Sequence, residues 1–352
     1  MKARNSLVLA LVALFLWSGD VAAQAAAEEE KKPSGIFSLF VENDVFAGLD
    51  SGYTNGVRFI WVSPRLDDAA KSPRVPRWLD TMSRRLPFPR SKESQRFLSL
   101  RLGQSIYTPV DLECRDLIIE DRPYAGFAYA GLGFHVMNES TMDTLEIEAG
   151  IVGPHSFAGD IQKLWHKLFG WRYPNGWEHQ LRDEPALSIA YDRKWKVRRP
   201  ADTKALTWDV ISHAGAALSN VITGATSGIE LRAGWRIPKD FGTTLIQEGS
   251  ASASLFEERD RRATGRDPLG FHVFIALEGH AVLRNLFLDG NTFRDSHRVA
   301  KNPFTADLMA GFALHYRRFK FSFAYIVQTM QFNTQKNYPV YGALNLSLVL
   351  ID

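Results

Sequence analysis

The chain has 352 residues, and its 42 basic and 39 acidic side chains give a formal net charge of +3 at neutral pH. This near balance argues against a surface dedicated to binding nucleic acid. The single cysteine, Cys114, excludes stabilisation by an internal disulfide. Aromatic residues make up 12% of the chain, which fits the lipid-facing surface of a membrane barrel and also a large soluble β-protein.

The first residues are typical of a secretory signal peptide. Basic residues precede an apolar run over positions 7–17, and small residues follow at 21–23. The apolar run is shorter than the roughly 20 residues that a membrane-spanning helix needs. We therefore expect residues 1–23 to be a cleaved signal peptide and residues 24–352 to form one exported barrel domain.

Alternation of apolar and polar residues predicts membrane-spanning β-strands in the rest of the chain. Over residues 344–350 every second side chain is leucine, while Asn345 and Ser347 share the opposite face. The same period of two recurs over 145–151, 304–315 and 319–328. A strand of a transmembrane barrel shows this pattern because lipid-facing and lumenal positions alternate.

Twelve segments have this character, and a closed antiparallel barrel prefers an even number of strands. They are 36–43, 53–63, 96–106, 123–137, 142–153, 184–197, 205–218, 224–237, 270–284, 303–317, 319–331 and 340–351. The predicted fold is thus all-β, a closed antiparallel transmembrane β-barrel with a short helix in a surface loop. A soluble β-sandwich is the alternative, because half-buried soluble strands also alternate.

Topology assigns the loops to two sides. Two connections, 64–95 and 238–269, are long and charged, and each is expected to contain a short helix or a mobile segment. With both chain ends in the periplasm, the odd-numbered connections reach the cell surface. These are 44–52, 107–122, 154–183, 218–223, 285–302 and 332–339. Three of them have unusual chemistry, which predicts a site at the extracellular rim.

The first of these loops offers oxygen ligands. Asn43 and Asp44 end one strand, and Thr54 lies at the start of the next. Carboxylate, amide and hydroxyl oxygens at a hairpin suit a hard cation such as Ca²⁺. The alternative is a plain turn in which Asn and Asp cap the backbone.

The second loop contains Arg122 within the run Asp121-Arg122-Pro123. A guanidinium here can neutralise a phosphate or a developing oxyanion of the substrate. The alternative is a lumenal ion pair between Arg122 and Asp121 or Glu120.

The third loop interrupts the strand pattern. From Phe157 to Leu168 the apolar residues follow helical spacing, and Gly170 is a natural helix end. Gln162 and His166 lie one turn apart beside this apolar stripe. An imidazole is well suited to take a proton from water near neutral pH. The alternative is that His166 is an ordinary surface residue.

Taken together, these motifs resemble the lipid A 3′-O-deacylase family. The matching runs, in chain order, are Asn43-Asp44, Tyr53-Thr54-Asn55-Gly56, Gln104-Ser105-Ile106-Tyr107-Thr108-Pro109, Asp121-Arg122-Pro123-Tyr124-Ala125-Gly126, Gly153-Pro154, Gln162-x-x-x-His166 and Trp177-x-x-Gln180. The resemblance implies a twelve-stranded barrel in the bacterial outer membrane. It also implies a calcium-dependent esterase that releases the 3′ acyloxyacyl group of lipid A, from lipopolysaccharide in the outer leaflet.

The resemblance also implies roles for particular residues. Asn43, Asp44, Thr54 and His166 match the family's active-site positions, with Gln162 and Gln180 as neighbours. The family has a lysine in the loop that here reads Asp111-Leu112-Glu113-Cys114-Arg115. Arg115 or Arg122 is the candidate to replace it.

The predicted mechanism has no serine nucleophile. His166 activates a water, with Ca²⁺ near Asn43, Asp44 and Thr54, while Arg122 and Gln180 bind substrate. A barrel phospholipase with Ser156 as its nucleophile is one alternative. A narrow porin and a non-catalytic structural or adhesion barrel are the others.

Overall fold

In a computed structural model of the protein, residues 33–47, 52–66, 76–89, 93–198, 206–243 and 269–351 are described. The predicted signal peptide lies outside these ranges and stays a prediction. The strands are β1 (Pro33–Asn43), β2 (Gly52–Val62), β3 (Gln95–Thr108), β4 (Ala125–Met137), β5 (Thr141–Val152), β6 (Glu184–Arg198), β7 (Leu206–Ser219), β8 (Ile222–Trp235), β9 (Gly270–Asn285), β10 (Phe304–Tyr316), β11 (Phe319–Gln328) and β12 (Val340–Ile351).

These strands form one closed antiparallel barrel in which each strand pairs with its neighbours in sequence. Closure is made by β1 and β12, whose register runs from Pro33 opposite Ile351 to Asn43 opposite Gly342. The twelve predicted strands are therefore confirmed, with ends that differ by a few residues. A sandwich is excluded because a closed barrel has no free edge strand.

Side chains alternate between an outer and a lumenal face along each strand. On β9 the outward side chains Phe271, Val273, Ile275 and Leu277 are exposed, whereas Phe274 between them is buried. The outward positions are apolar because they face lipid, and the lumenal positions hold most of the buried polar groups.

The lumen is filled by paired charges. Arg232 has 0% exposed side chain and pairs with Asp209 at 2.6 Å and with Asp240. Asp240 also accepts from Lys320 at 2.5 Å, and Arg101 pairs with Glu146 at 2.6 Å. Burial of a charge is costly unless it is paired, so these networks stabilise a packed lumen. A packed lumen argues against the porin alternative.

Within the described ranges, the α-helices lie in the connections between strands. They are α1 (Arg77–Arg85), α2 (Ala158–Phe169) and α3 (Leu286–Asp289). Over the described ranges, none is long and apolar enough to cross a membrane. The helix predicted near Phe157 is confirmed as α2, and it ends at Gly170 as expected. The long connection 64–95 contains α1, whereas most of 238–269 lies outside the described residues.

Candidate functional site

Helix α2 packs on the outer wall of the barrel at its extracellular end. Gln104, an outward residue of β3, donates from Nε2 to the carbonyl of Ser156 just before the helix, at 2.7 Å. On β4, a Cβ added to Gly126 would lie 2.2 Å from the Cβ of Ala158. Because only glycine leaves this space, Gly126 lets the first turn of α2 approach the wall closely.

Side chains from three extracellular segments pack together beneath the helix. Ile106, Leu112, Tyr124, Ala158 and Trp177 form one buried cluster. The rings of Tyr124 and Trp177 are 5.1 Å apart, and the Tyr124 hydroxyl donates to the carbonyl of Leu112 at 3.2 Å. Burial raises the pKa of Tyr124 to about 12, so this hydroxyl stays a donor. The cluster fixes α2 against the loop that follows β3.

The two faces of α2 have opposite character. Gln162 and His166 are 2% and 3% exposed and lie on the face that is turned towards the protein. The apolar side chains Phe157, Leu164, Trp165 and Leu168 are exposed on the other face. The alternative that His166 is an ordinary surface residue is wrong, because the apolar stripe faces outward and the imidazole faces inward.

The hydrogen bond of His166 fixes its tautomer. Its Nδ1 lies against the carbonyl oxygen of Arg172, and a carbonyl can only accept, so Nδ1 must carry the proton. In the neutral ring, Nε2 then keeps its lone pair and can accept a proton. Trp171 contacts the imidazole edge to face at 5.5 Å. The ring is therefore held with Nε2 available as an acceptor.

Gly170 creates this arrangement. It adopts the left-handed conformation with φ of +67°, and the backbone N–H groups of Gly170 and Trp171 both donate to the carbonyl of His166. The chain thereby turns back after the helix and brings the Arg172 carbonyl to the ring. Nothing lies within 4 Å of a Cβ built at Gly170, so the glycine is required by conformation and not by space.

The amide of Gln162 is also oriented. Its Oε1 accepts from the indole Nε1 of Trp177 at 2.7 Å, which leaves Nε2 as the free end of the amide. This buried Nε2 has no hydrogen-bond partner within the described ranges. The half-buried Gln180 likewise has an unpartnered Oε1 there. A buried donor one helical turn from His166 can stabilise negative charge.

The predicted calcium ligands lie at the extracellular ends of β1 and β2. Asn43 pairs in register with Asn55, and its Oδ1 accepts from the N–H of Val45 at 2.7 Å. This capping bond is what the plain-turn alternative predicts, and it leaves a second lone pair on the oxygen. The Asp44 carboxylate is buried. Thr54 lies at an irregularity of the ladder between β2 and β3, and its side chain lies outside the described part.

The donor set fits a hard cation. A buried carboxylate and an amide oxygen, with a hydroxyl nearby in sequence, are oxygen ligands of the kind that Ca²⁺ takes. No cluster of three or more His, Cys, Asp and Glu able to hold a metal occurs among the described residues. The set of ligands predicted from the sequence contains one carboxylate, that of Asp44. A metal site at these residues stays a prediction.

Arg122 lies on the other side of the wall from His166. It is buried in the mouth of the lumen, donates to Oε1 of Gln331 and lies over the rings of Tyr107 and Phe332 at 5.8 and 5.6 Å. Burial lowers its pKa from the ordinary arginine value. The structure therefore does not bring Arg122 together with α2. Arg115, the other candidate to replace the lysine of the family, is exposed.

Ser156 has a structural contact. Its hydroxyl is buried and donates to the carbonyl of Gly153 at 2.6 Å. A hydroxyl that donates to a carbonyl is not activated by a base, which argues against the serine alternative.

Three groups that hold the candidate site together are not predicted as site residues by the sequence. Trp177, the Arg172 carbonyl and Gly126 all position α2 or its polar side chains. Trp177 and Gly126 do occur within the motifs quoted above, which was the available signal. No pattern in the sequence indicates the Arg172 carbonyl.

Comparison with known proteins agrees with this fold. The family model of the outer membrane protein LpxR matches residues 7–350. LpxR from Salmonella typhimurium has a TM-score of 0.68 at 17% identity over 90% of this chain and 100% of that chain. The β domain of the Bordetella autotransporter BrkA has a TM-score of 0.43 at 8% identity over 92% of this chain and 100% of that chain. No curated protein matches the chain. The family model spans nearly the whole sequence, and the chain therefore belongs to the LpxR family of outer-membrane proteins.

Proposed function

We propose that the protein is an ester hydrolase that removes the 3′-linked acyl (acyloxyacyl) group of lipid A, acting on lipopolysaccharide in the outer leaflet. Family membership supports an outer-membrane enzyme of this class. The observation that carries the proposal is the buried His166 on the inner face of α2, held by the Arg172 carbonyl with Nε2 as acceptor, while the outer face of the same helix is apolar.

His166 is the general base of the proposed reaction. Its Nε2 takes a proton from water, and the water oxygen bonds to the ester carbonyl carbon. When the tetrahedral centre collapses, the ester C–O bond breaks and the sugar oxygen takes the proton from Nε2. The products are a free fatty acid and a sugar hydroxyl. A positioned base of this kind contributes about 10²–10⁴ in rate.

Gln162 is the proposed oxyanion donor. Its Nε2 is buried and has no other partner within the described ranges, so it can donate to the carbonyl oxygen as negative charge develops. Trp177 acts through Gln162, because its indole N–H determines which end of the amide is the donor. Gln180 is proposed to contact substrate beside them.

Asn43, Asp44 and Thr54 are the residues that would hold Ca²⁺. When bound there, the cation would supply Lewis-acid polarisation of the ester carbonyl. Asp44 contributes the only charged ligand of the three. The hydrogen bond from the Val45 N–H holds the side-chain oxygen of Asn43 at the end of β1.

The exposed face of α2 suits the acyl part of the substrate. Phe157, Leu164, Trp165 and Leu168 would be unfavourable in water, and they lie where the barrel rim meets the outer leaflet. Acyl chains that contact them bring the ester bond to the level of the helix.

Mass spectrometry of lipid A from cells with and without the protein tests this proposal. We expect loss of the mass of the 3′ acyloxyacyl group from lipid A when the protein is present. Unchanged lipid A, with the barrel shown to be folded by heat-modifiable migration on gels, would contradict it. Loss of acyl chains from phospholipids alone would favour a barrel phospholipase.

Trp177→Phe should lower kcat by about tenfold, because loss of one indole hydrogen bond of about 1.5 kcal/mol frees the Gln162 amide to turn. An aromatic ring remains at position 177 to pack on Tyr124, so the barrel should fold. We expect KM and the pH profile to stay unchanged. Trp171→Phe is the matched control, since the Trp171 ring contacts His166 edge to face and stacks on Phe169, and a phenyl ring can keep both contacts. Equal activity of both variants would remove Trp177 from the mechanism.

Gly170→Ala should lower activity without a steric clash. A non-glycine residue in the left-handed conformation costs about 1–2 kcal/mol, so the turn that carries Arg172 would relax. Asparagine tolerates this conformation better, and Gly170→Asn should retain more activity than Gly170→Ala. Kinetics of both variants check this order, and the reverse order would contradict the proposed role of the turn.

A further inference from the structure

Helix α1 lies on the outer wall of the barrel, away from α2. Leu79 of the helix forms a buried cluster with Leu98 of β3 and Phe134 of β4. Leu98 shares the outward face of β3 with the exposed Leu100. The described helix in the connection between β2 and β3 therefore covers part of the lipid-facing surface of the barrel.

Two further contacts fix the segment there. Arg96 of β3 donates from Nη1 to Asp80 at 2.9 Å and to the Ser83 hydroxyl at 2.7 Å. An arginine at an outward barrel position is costly in lipid, and the helix neutralises it. Past the helix, Phe88 stacks on Tyr191 of β6 with ring centroids 6.4 Å apart. The segment thus crosses the outer wall from β3 to β6.

The remaining sides of α1 differ in chemistry. Trp78 and Met82, one turn apart, are 60% and 41% exposed. Another side holds the ion pair of Arg84 with Asp80, whose atoms are 3.1 Å apart, and the exposed Arg77 and Arg85 lie at the two ends of the helix. A tryptophan exposed to this degree on a helix bound to a lipid-facing wall is typical of a membrane interface.

The position of α1 along the barrel wall agrees with a location at the membrane interface. Leu98 and Phe134 are paired, and they lie three positions from the strand ends at Gln95 and Met137. At about 3.4 Å per residue this is about 10 Å along a tilted strand. Interfacial helices bury their apolar face roughly 5–10 Å into the boundary between headgroups and acyl chains. These strand ends lie on the same side of the barrel as Pro33 and Ile351, the ends of β1 and β12.

We propose that α1 is an interfacial helix that binds the phospholipid surface of the periplasmic leaflet. Trp78 and Met82 enter the acyl layer, and Arg77 and Arg85 contact lipid phosphates at its edge. The Asp80 and Arg84 pair faces the periplasm. The bound lipid surface is continuous with the lipid that surrounds the barrel, so no separate partner is required.

Nitroxide labels on two positions of the helix test this proposal. Met82→Cys and Arg84→Cys are made in a Cys114→Ser background, and each labelled barrel is placed in vesicles that contain phosphatidylglycerol. Collision with oxygen, which partitions into the membrane, is compared with collision with a water-soluble nickel chelate. We expect the ratio of oxygen to nickel collisions to be several-fold higher at position 82 than at position 84.

Equal exposure of both labels to the nickel chelate, in barrels that still migrate as folded on gels, would overturn the proposal. Adding Arg77→Gln and Arg85→Gln to the Met82→Cys protein tests the phosphate contacts. We expect the oxygen to nickel ratio at position 82 to fall, and an unchanged ratio would overturn the role of the arginines.

Discussion

In the His166→Ala variant, release of fatty acid from lipid A should fall by a factor of about 10²–10⁴, because the general base is lost. The barrel should still fold, since His166 lies on a helix outside the wall and not in the strand ladder. The Nδ1 bond to Arg172 is also lost, which affects only the turn after α2. Turnover measured on lipid A micelles checks the size of the effect.

His179→Ala is the matched control for this variant. His179 lies in the 3-10 turn Gly176–His179, and its ring nitrogen is 3.7 Å from the exposed carboxylate of Glu178. It belongs to the same surface loop and has the same chemistry, but it is not on the buried face of α2. We expect a far milder loss. Wild-type turnover in a folded His166→Ala protein would remove the base from the mechanism.

Asp44→Ala should remove the calcium-dependent part of the activity while the barrel still assembles. The change deletes the only charged oxygen among the proposed ligands Asn43, Asp44 and Thr54. Asp44→Asn keeps the volume of the buried side chain and should raise the calcium concentration needed for half-maximal activity. Asp160→Asn, at an exposed acid in the first turn of α2, should not change it. Calcium titrations of turnover compare the three variants.

A second readout of the metal is thermal stability. A ligand that binds only the folded protein raises its stability in proportion to the logarithm of concentration over Kd. We expect calcium to raise the melting temperature of the wild type but not of Asp44→Ala. Full activity of Asp44→Ala in the presence of a chelator would refute the metal assignment.

The barrel is predictable from the sequence because the alternation that defines each strand lies within one short segment of the chain. Lipid and a packed lumen impose a period of two on each strand, and residues 344–350 display it with leucine at every second position. Helix α2 is predictable for the same reason, since its apolar spacing and Gly170 belong to one short segment. The positions of Gln162 and His166, one turn apart, follow from that helix.

The arrangement of the site depends on contacts between distant segments, which no local pattern contains. Gly126 and Ala158 meet only because α2 packs on the outer wall, and this turns His166 inward. Arg122 lies in a loop at the end of a strand, as the other rim residues do. At Arg122, however, the chain enters the mouth of the lumen, and the guanidinium lies beside Tyr107. The sequence does not distinguish these two sides of the wall.

Hydrolysis of lipid A by the purified barrel in water enriched in ¹⁸O tests the central claim most directly. The account predicts that lipid A loses its 3′ acyloxyacyl group and that the released acid carries one ¹⁸O atom in its carboxyl group. The remaining sugar hydroxyl should carry none, because the bond between acyl carbon and oxygen is the one that breaks. Lipid A of unchanged mass after incubation with folded protein, or loss of an acyl group from another position, would contradict the account.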